Sequence, residues 1–176
     1  MERASDRLEK TMGGVKIFTQ EQGEQWEEVN ISELIQQAVN NKNNKLVQSN
    51  TKLIQDLSPL PLWNCQAQRI CQLFEHLLDN AIEAMPDGGE VKIQTQLDEQ
   101  HWVMTLEDQG IGITPEHQTH LFDPFFTTKE IGSGKGLGLT ISYSIVQQHR
   151  GQISLDSKSG EGTTVKLHFP LNQSRI

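Results

Sequence analysis

An apolar stripe between residues 66 and 85, followed at once by a tight turn and two alternating segments, narrows the possible folds more than any other feature of this chain. Ile70, Phe74, Leu77, Leu78, Ala81 and Met85 recur close to every 3.6 residues, which predicts a long helix with one buried face. Pro86-Asp87-Gly88-Gly89 then ends it in a turn. Val91, Ile93 and Leu97, and after them Trp102, Met104 and Leu106, alternate with polar residues as half-buried strands do. One-faced helices and one-faced strands bury their apolar sides by stacking, so an α/β fold of the α+β two-layer sandwich kind is expected.

The flanking sequence extends this pattern. Asn30 and Glu33 have the spacing of a capping box ahead of Leu34, Ile35, Ala38 and Val39. The Asn/Lys-rich stretch NNKNNK (40–45) is expected to be a loop, and Leu53, Ile54 and Leu57 a strand stopped by Ser58-Pro59 and Pro61. A second helix is predicted over 137–149, with Leu137, Ile141 and Ile145 on one face and Gly151 placed to terminate it. Ile153 and Leu155, a turn at SGEG (159–162), and Val165, Leu167 and Phe169 make a closing hairpin. The expected sheet is mixed and mainly antiparallel, with the helices on one face. Residues 26–176 form this domain. Residues 1–25 form an appendage: a short helix carrying Ala4, Leu8, Met12 and Val15, then the linker TQEQGEQ. Gly13 and Gly14 weaken that helix by roughly 1 kcal/mol each.

Charge and composition exclude some functions. At 176 residues with a formal net charge of −8, the chain is no general nucleic-acid binder, which needs a basic surface to displace counterions. A single nucleotide remains possible, because backbone amides and a few local cations can hold its phosphates. No apolar run approaches the roughly 18 residues of a membrane span and no signal sequence opens the chain, so a soluble, cytoplasmic domain without membrane contact is expected. Cys65 and Cys71, six apart in one expected helix, fall on different faces and read as two half-buried thiols.

Four clusters carry chemistry. In HLLDNAIEAM (76–85), His76, Asn80 and Ala84 follow at four-residue intervals and share a helix flank. The Asn80 carboxamide oxygen is a hard donor of the kind Mg2+ accepts beside phosphates and water. In EDQGIGI (107–113), Gly110 and Gly112 let the backbone approach a flat ligand, and Asp108 offers an acceptor to an exocyclic amine. LFDPFFTTK (121–129) places adjacent phenylalanines beside Pro124, as in a loop that packs on something or a lid that alternates between states. GSGKGLGL (132–139) runs straight into the second helix. Its Gly134, Gly136 and Gly138 free N–H groups for phosphate oxygens, and Lys135 adds a cation. It is not a P-loop, because GxxxxGK[ST] is absent.

In this order and at these distances the clusters resemble the N, G1, F and G2 boxes of the GHKL ATPases and kinases. The resemblance covers about residues 26–171. NAIEAMPDGG, FDPFFTTK, GSGKGLGL and IVQQHRGQI are most similar to the nitrogen-regulator type of sensor histidine kinase. That implies a Bergerat-type ATP-binding fold holding ATP and Mg2+ under a mobile lid. By position, Asn80 matches the magnesium-binding asparagine, with His76 nearby, and Ala84 ends the same box. Asp108 matches the acceptor of the adenine amine, Gly110, Gly112 and Ile113 lie beside the base, and Thr164 supports it from a late strand. Thr128 and Lys129 belong to the lid. Gly134, Lys135, Gly136, Leu137 and Gly138 form the phosphate-facing loop.

Gln109, Lys135 and His76 depart from the commonest residues of these boxes, and each is expected to tune nucleotide contacts. His76 also separates two classes. Hydrolysing members of the superfamily carry a general-base glutamate four residues before the asparagine; here Glu75 is one step out of register, about 100° round the helix. Transfer of the γ-phosphate to another group therefore fits better than autonomous hydrolysis.

The resemblance implies a phosphoacceptor histidine followed by an acidic residue, whereas the six histidines here precede Leu77, Trp102, Gln118, Leu121, Arg150 and Phe169. The acceptor is expected upstream of Met1, on a dimerisation helix of which residues 1–25 are the remnant. The implied partners are that dimerisation and phosphoacceptor domain and a response regulator. A serine-protein kinase of the anti-sigma type and a nucleotide-dependent interaction module are the competing possibilities.

Overall fold

The computed structural model describes residues 25–123 and 137–172. The expected helix and linker before residue 25, and Thr128, Lys129, Gly134, Lys135 and Gly136, lie outside the described residues.

In chain order a short strand β1 (Glu27–Val29) leads into helix α1 (Ile31–Gln48), followed by β2 (Thr51–Leu57), β3 (Trp63–Cys65) and helix α2 (Ala67–Glu83). Then come β4 (Gly89–Leu97), β5 (His101–Asp108), the single turn α3 (Pro115–Gln118), helix α4 (Gly138–Gln148), β6 (Gln152–Lys158) and β7 (Gly162–Pro170). Five strands form one sheet in the order β2-β4-β5-β7-β6. Only β2 and β4 run parallel, their connection crossing over through α2; every other neighbour pair is antiparallel. The mixed, mainly antiparallel sheet expected from the alternation is therefore present.

Strand alternation decides which side the helices cover. Val91 and Ile93 of β4, Trp102, Met104 and Leu106 of β5, and Val165, Leu167 and Phe169 of β7 are all buried. Against them lie the buried stripe of α2 (Ile70, Phe74, Leu77, Leu78, Ala81 and, just beyond it, Met85) and Ile35, Ala38 and Val39 of α1. Trp102 and Phe169 stack at 4.7 Å, and Trp63 meets Trp102 edge-on at 5.1 Å. Trp63 also donates its Nε1–H to the Pro170 carbonyl at 2.8 Å, tying β3 to the end of β7.

Four expectations need correcting. The stretch 40–45 is no loop: α1 runs through it to Gln48. Leu46 is buried, and Lys42 and Lys45 both reach Asp79 of α2 at 2.7 Å, so tertiary pairing overrides the weak helix propensity of asparagine. Cys65 is not helical but sits in β3, which pairs antiparallel with β1 to make a separate two-stranded ribbon. Both cysteines are free and buried, and burial pushes the Cys65 thiol up to about 12. The capping arrangement at Asn30 is also altered: its side chain accepts from the Ser32 N–H at 3.0 Å and donates to Glu33 Oε1 at 3.3 Å. Gly151, finally, does not supply the left-handed turn after α4. Arg150 does, with φ of 53°, while a Cβ at Gly151 would come within 2.6 Å of the Phe169 ring. Close packing, not backbone handedness, calls for glycine there.

Candidate functional site

The C-terminal half of α2 brings one polar flank, at Ala84, against the segment that follows β5. His76, Asn80 and Ala84 lie along this flank, each half-buried, Ala84 being the C-cap of the helix. Among the described residues, His76 Nδ1 and Asn80 Nδ2 are buried without a hydrogen-bond partner. Burial lowers the His76 pKa below its usual range, against opposing effects from Asp79 and the backbone of Gly138, so its ring is neutral near neutral pH. The contact with Gly138 places the start of α4 beside this flank. Among the described residues, nothing lies within 4 Å of where a Cβ on Gly138 would stand.

Asp79 points the other way. Burial alone would raise its pKa, but the bonds and charges of Lys42 and Lys45 outweigh that and hold the carboxyl below its usual value. It therefore serves the α1–α2 interface.

Asp108 ends β5 on the inward face and is only 5 % exposed. Its Oδ1 accepts the Gly110 N–H at 2.9 Å. Burial pushes its carboxyl above the usual range, while the backbone N–H groups of Gly110 and Thr163 pull it back. A buried carboxyl with two backbone donors still has acceptor capacity, which suits an amine from outside.

The segment after Asp108 is clamped from both sides. Ile111 donates its N–H to the Ala84 carbonyl at 2.9 Å, and Gly160 donates to the Ile111 carbonyl at 2.8 Å. Ser157 Oγ accepts the Ile113 N–H at 2.8 Å, and Gln118 Nε2 donates to the carbonyls of Ile113 and Ser157 at 3.0 and 2.7 Å. The glycines here answer to the protein's own backbone. A Cβ at Gly110 would stand 2.6 Å from the Ala84 carbonyl oxygen; one at Gly112, where φ is +65°, would lie 2.0 Å from that of Lys158. Ile113 likewise commits both backbone groups to protein partners.

The sequence-predicted residues are thus partly gathered. His76, Asn80, Ala84, Gly138 and, at the N-cap of α4, Leu137 lie on one side; Asp108, Gly110 and Gly112 lie on the other, joined through Ala84. Thr164 stands apart, pairing with Glu107 on the alternate face of the sheet. Thr163, one residue earlier, pairs with Asp108, and its hydroxyl contacts Ser157 Oγ at 2.9 Å. Thr163, Ser157 and Gln118 were missed from sequence, although the inward parity of Val165, Leu167 and Phe169 carried back along the strand would have placed Thr163 beside Asp108. Phe122, from the start of the third cluster, packs on Tyr143 of α4 at 5.5 Å. A separate surface groove of about 440 Å³ is lined by Glu27, Glu28 and Glu33 among others; it shares no residue with this cluster, and its carboxylates would repel phosphates.

A two-layer sandwich with a buried carboxylate at a strand end, a polar helix flank beside it and a second helix starting at a glycine defines a nucleotide-binding domain of α+β class. Residues 65–173 match the family described as histidine kinase-, DNA gyrase B-, and HSP90-like ATPases. The chain is 34 % identical to sporulation kinase E of Bacillus subtilis over 170 residues, which is 96 % of this chain and 23 % of the relative. It is 32 % identical to the signal transduction histidine-protein kinase AtoS of Escherichia coli over 95 % of this chain and 28 % of that protein. The chain therefore spans about a quarter of the length of these relatives. Among solved structures, the nucleotide-free catalytic domain of histidine kinase ThkA matches with a TM-score of 0.75 and 28 % identity, over 84 % of this chain and 96 % of that one. The chain belongs to this ATPase family, and within it to the ATP-binding catalytic domains of histidine kinases. Among the described residues no helix is long and apolar enough to cross a membrane.

Proposed function

We propose that this domain, residues 26–176, binds Mg–ATP between α2, the end of β5 and the start of α4, and passes the γ-phosphate to a histidine on a dimerisation helix of a longer parent protein. An aspartate of a response regulator would take the phosphoryl group next. The observation that carries this is Asp108: an inward-facing carboxyl, 5 % exposed and held by backbone donors, beside the α2 flank that bears Asn80.

In this reading Asp108 accepts the adenine amine, with Thr163 rather than Thr164 beside it. The donor set fits Mg2+: the Asn80 side chain has a buried, unpartnered amide nitrogen, and a carboxamide oxygen is a hard ligand. Asn80 would hold the ion, with His76 nearby; when bound, Mg2+ neutralises charge on the phosphate oxygens. Gly138 and the start of α4 face the phosphates, with Thr128, Lys129, Gly134, Lys135 and Gly136 assigned to lid and loop by resemblance. The protein's part in transfer is mainly positioning.

Melting of the domain with and without Mg–ATP tests the site. Ligand at about 100 times its Kd adds about 2.7 kcal/mol, which for a domain of this size raises Tm by roughly 5–10 °C. Asp108→Asn keeps an acceptor for Gly110 but loses the rise. Because burial raises the Asp108 pKa, the native carboxyl's contribution is full below its unfolded value of 3.8 and lost as pH rises through the folded one. The unliganded variant is accordingly no less stable than wild type near neutral pH. No rise in wild type, or an equal rise in the variant, would overturn the site. For the transfer step, radiolabelled ATP and a separately supplied dimerisation hairpin should give acid-labile label on that hairpin; acid-stable label would favour a serine kinase.

A further inference from the structure

We propose that His76 is a second protein ligand of the divalent cation, making with Asn80 a mixed imidazole–carboxamide site that favours Mn2+ and Co2+ over Mg2+ once nucleotide phosphates complete the shell. The inference rests on the nucleotide reading above and adds a specificity to it.

His76 and Asn80 are one helical turn apart on the same flank of α2. Their Nδ1 and Nδ2 atoms are buried and unpartnered; among the described residues only Trp102 Nε1 shares that condition. Native structures rarely leave such groups unmatched, and two of them one turn apart are suited to share a bound cation as their partner. The carboxamide can turn to exchange its nitrogen for its oxygen, so Asn80 can meet a cation from this position.

The neighbouring carboxylate adds no oxygen ligand to this flank. Asp79, next to Asn80, has both oxygens engaged at 2.7 Å by Lys42 and Lys45 of α1. Among the described residues no group of three or more His, Cys, Asp or Glu side chains could hold a metal, and in this proposal phosphate oxygens and water complete the shell. Imidazole nitrogen suits first-row transition metals, whereas Mg2+ holds to oxygen. One ring nitrogen in the shell therefore shifts the preference.

The test uses the domain with a non-hydrolysable ATP analogue. Calorimetry gives Kd in Mg2+, Mn2+ and Co2+, and visible absorption reports the ligands of bound Co2+, for wild type, His76→Asn and, as a second variant, His76→Gln. The preference for Mn2+ and Co2+ over Mg2+ is expected to fall by about tenfold in both variants, with Mg2+ affinity within about threefold and a changed Co2+ spectrum. Nucleotide binding with the same metal preference and Co2+ spectrum in all three proteins would overturn the role of His76 and leave the nucleotide site intact. Failure of wild type to bind nucleotide with any of the three ions would overturn both.

Discussion

Gln66 donates its backbone N–H to His149 Nε2 at 3.1 Å, across 83 residues of chain. With Nε2 accepting, the ring proton lies on Nδ1, which donates to the Ile145 carbonyl at 2.8 Å. The ring is fully buried and sits 4.8 Å from Trp26 and 5.6 Å from Trp63. One imidazole thus ties the C-terminus of α4 to the N-cap of α2, the two helices that frame the proposed nucleotide site.

Replacing that ring is costly. His149→Ala should lower unfolding free energy by about 3 kcal/mol, by leaving a cavity and removing the ring nitrogen that accepts the Gln66 N–H. Burial lowers the His149 pKa, so the folded state binds its proton less readily than the unfolded chain. The stability it contributes is full above about pH 6.5 and falls as pH drops below that, and His76 shifts in the same direction. Urea denaturation at about pH 7.5 and about pH 5.5 should show a smaller loss for His149→Phe than for wild type.

The Asp79 carboxylate bridges two lysines of α1. Removing it in Asp79→Ala leaves Lys42 and Lys45 without their shared partner and should cost about 1–2 kcal/mol, less in high salt. The Asp79 pKa is held below its usual value, so its contribution is present above pH 3.8 and disappears as pH falls. Denaturation at low and high ionic strength measures the effect; an undiminished cost in high salt would contradict it.

Gly112→Ala should destabilise by about 3 kcal/mol, because the new Cβ meets the Lys158 carbonyl oxygen at 2.0 Å and φ is +65°. Gly138→Ala, whose Cβ would meet none of the described residues within 4 Å, should leave the unliganded fold within about 0.5 kcal/mol. Chemical denaturation of the two variants gives the comparison.

Thr163 and Thr164 separate the two faces of β7. Thr163→Val should weaken ATP binding roughly fivefold, the loss of about one hydrogen bond's worth of free energy, while Thr164→Val leaves it unchanged. Titration calorimetry decides it, and the reverse order would move the adenine contact to the other face of the sheet.

Much of the fold was legible where periodicity was strong. The stripe of α2 and the alternation of β4, β5 and β7 each encode a buried face in local spacing, and Asp108 followed them at a strand end. Errors fell where long-range partners decided the outcome. Asn43 and Asn44 are helical because Lys42, Lys45 and Leu46 find partners on α2 and in the core, and the pairing of β1 with β3 joins segments whose three-residue strands carry almost no pattern. Thr164 was assigned by its position in the resemblance, whereas strand parity puts Thr163 on the face of Asp108.

By itself, then, the sequence determined the element types, their apolar faces and the residue kinds a nucleotide site requires, because helical and strand periods are written in neighbouring residues. Only the tertiary structure decided which of those residues meet. Gly110 abuts Ala84, Asp79 turns to α1 and away from Asn80, and His149 reaches Gln66, because burial and hydrogen-bond satisfaction are settled between segments far apart in the chain.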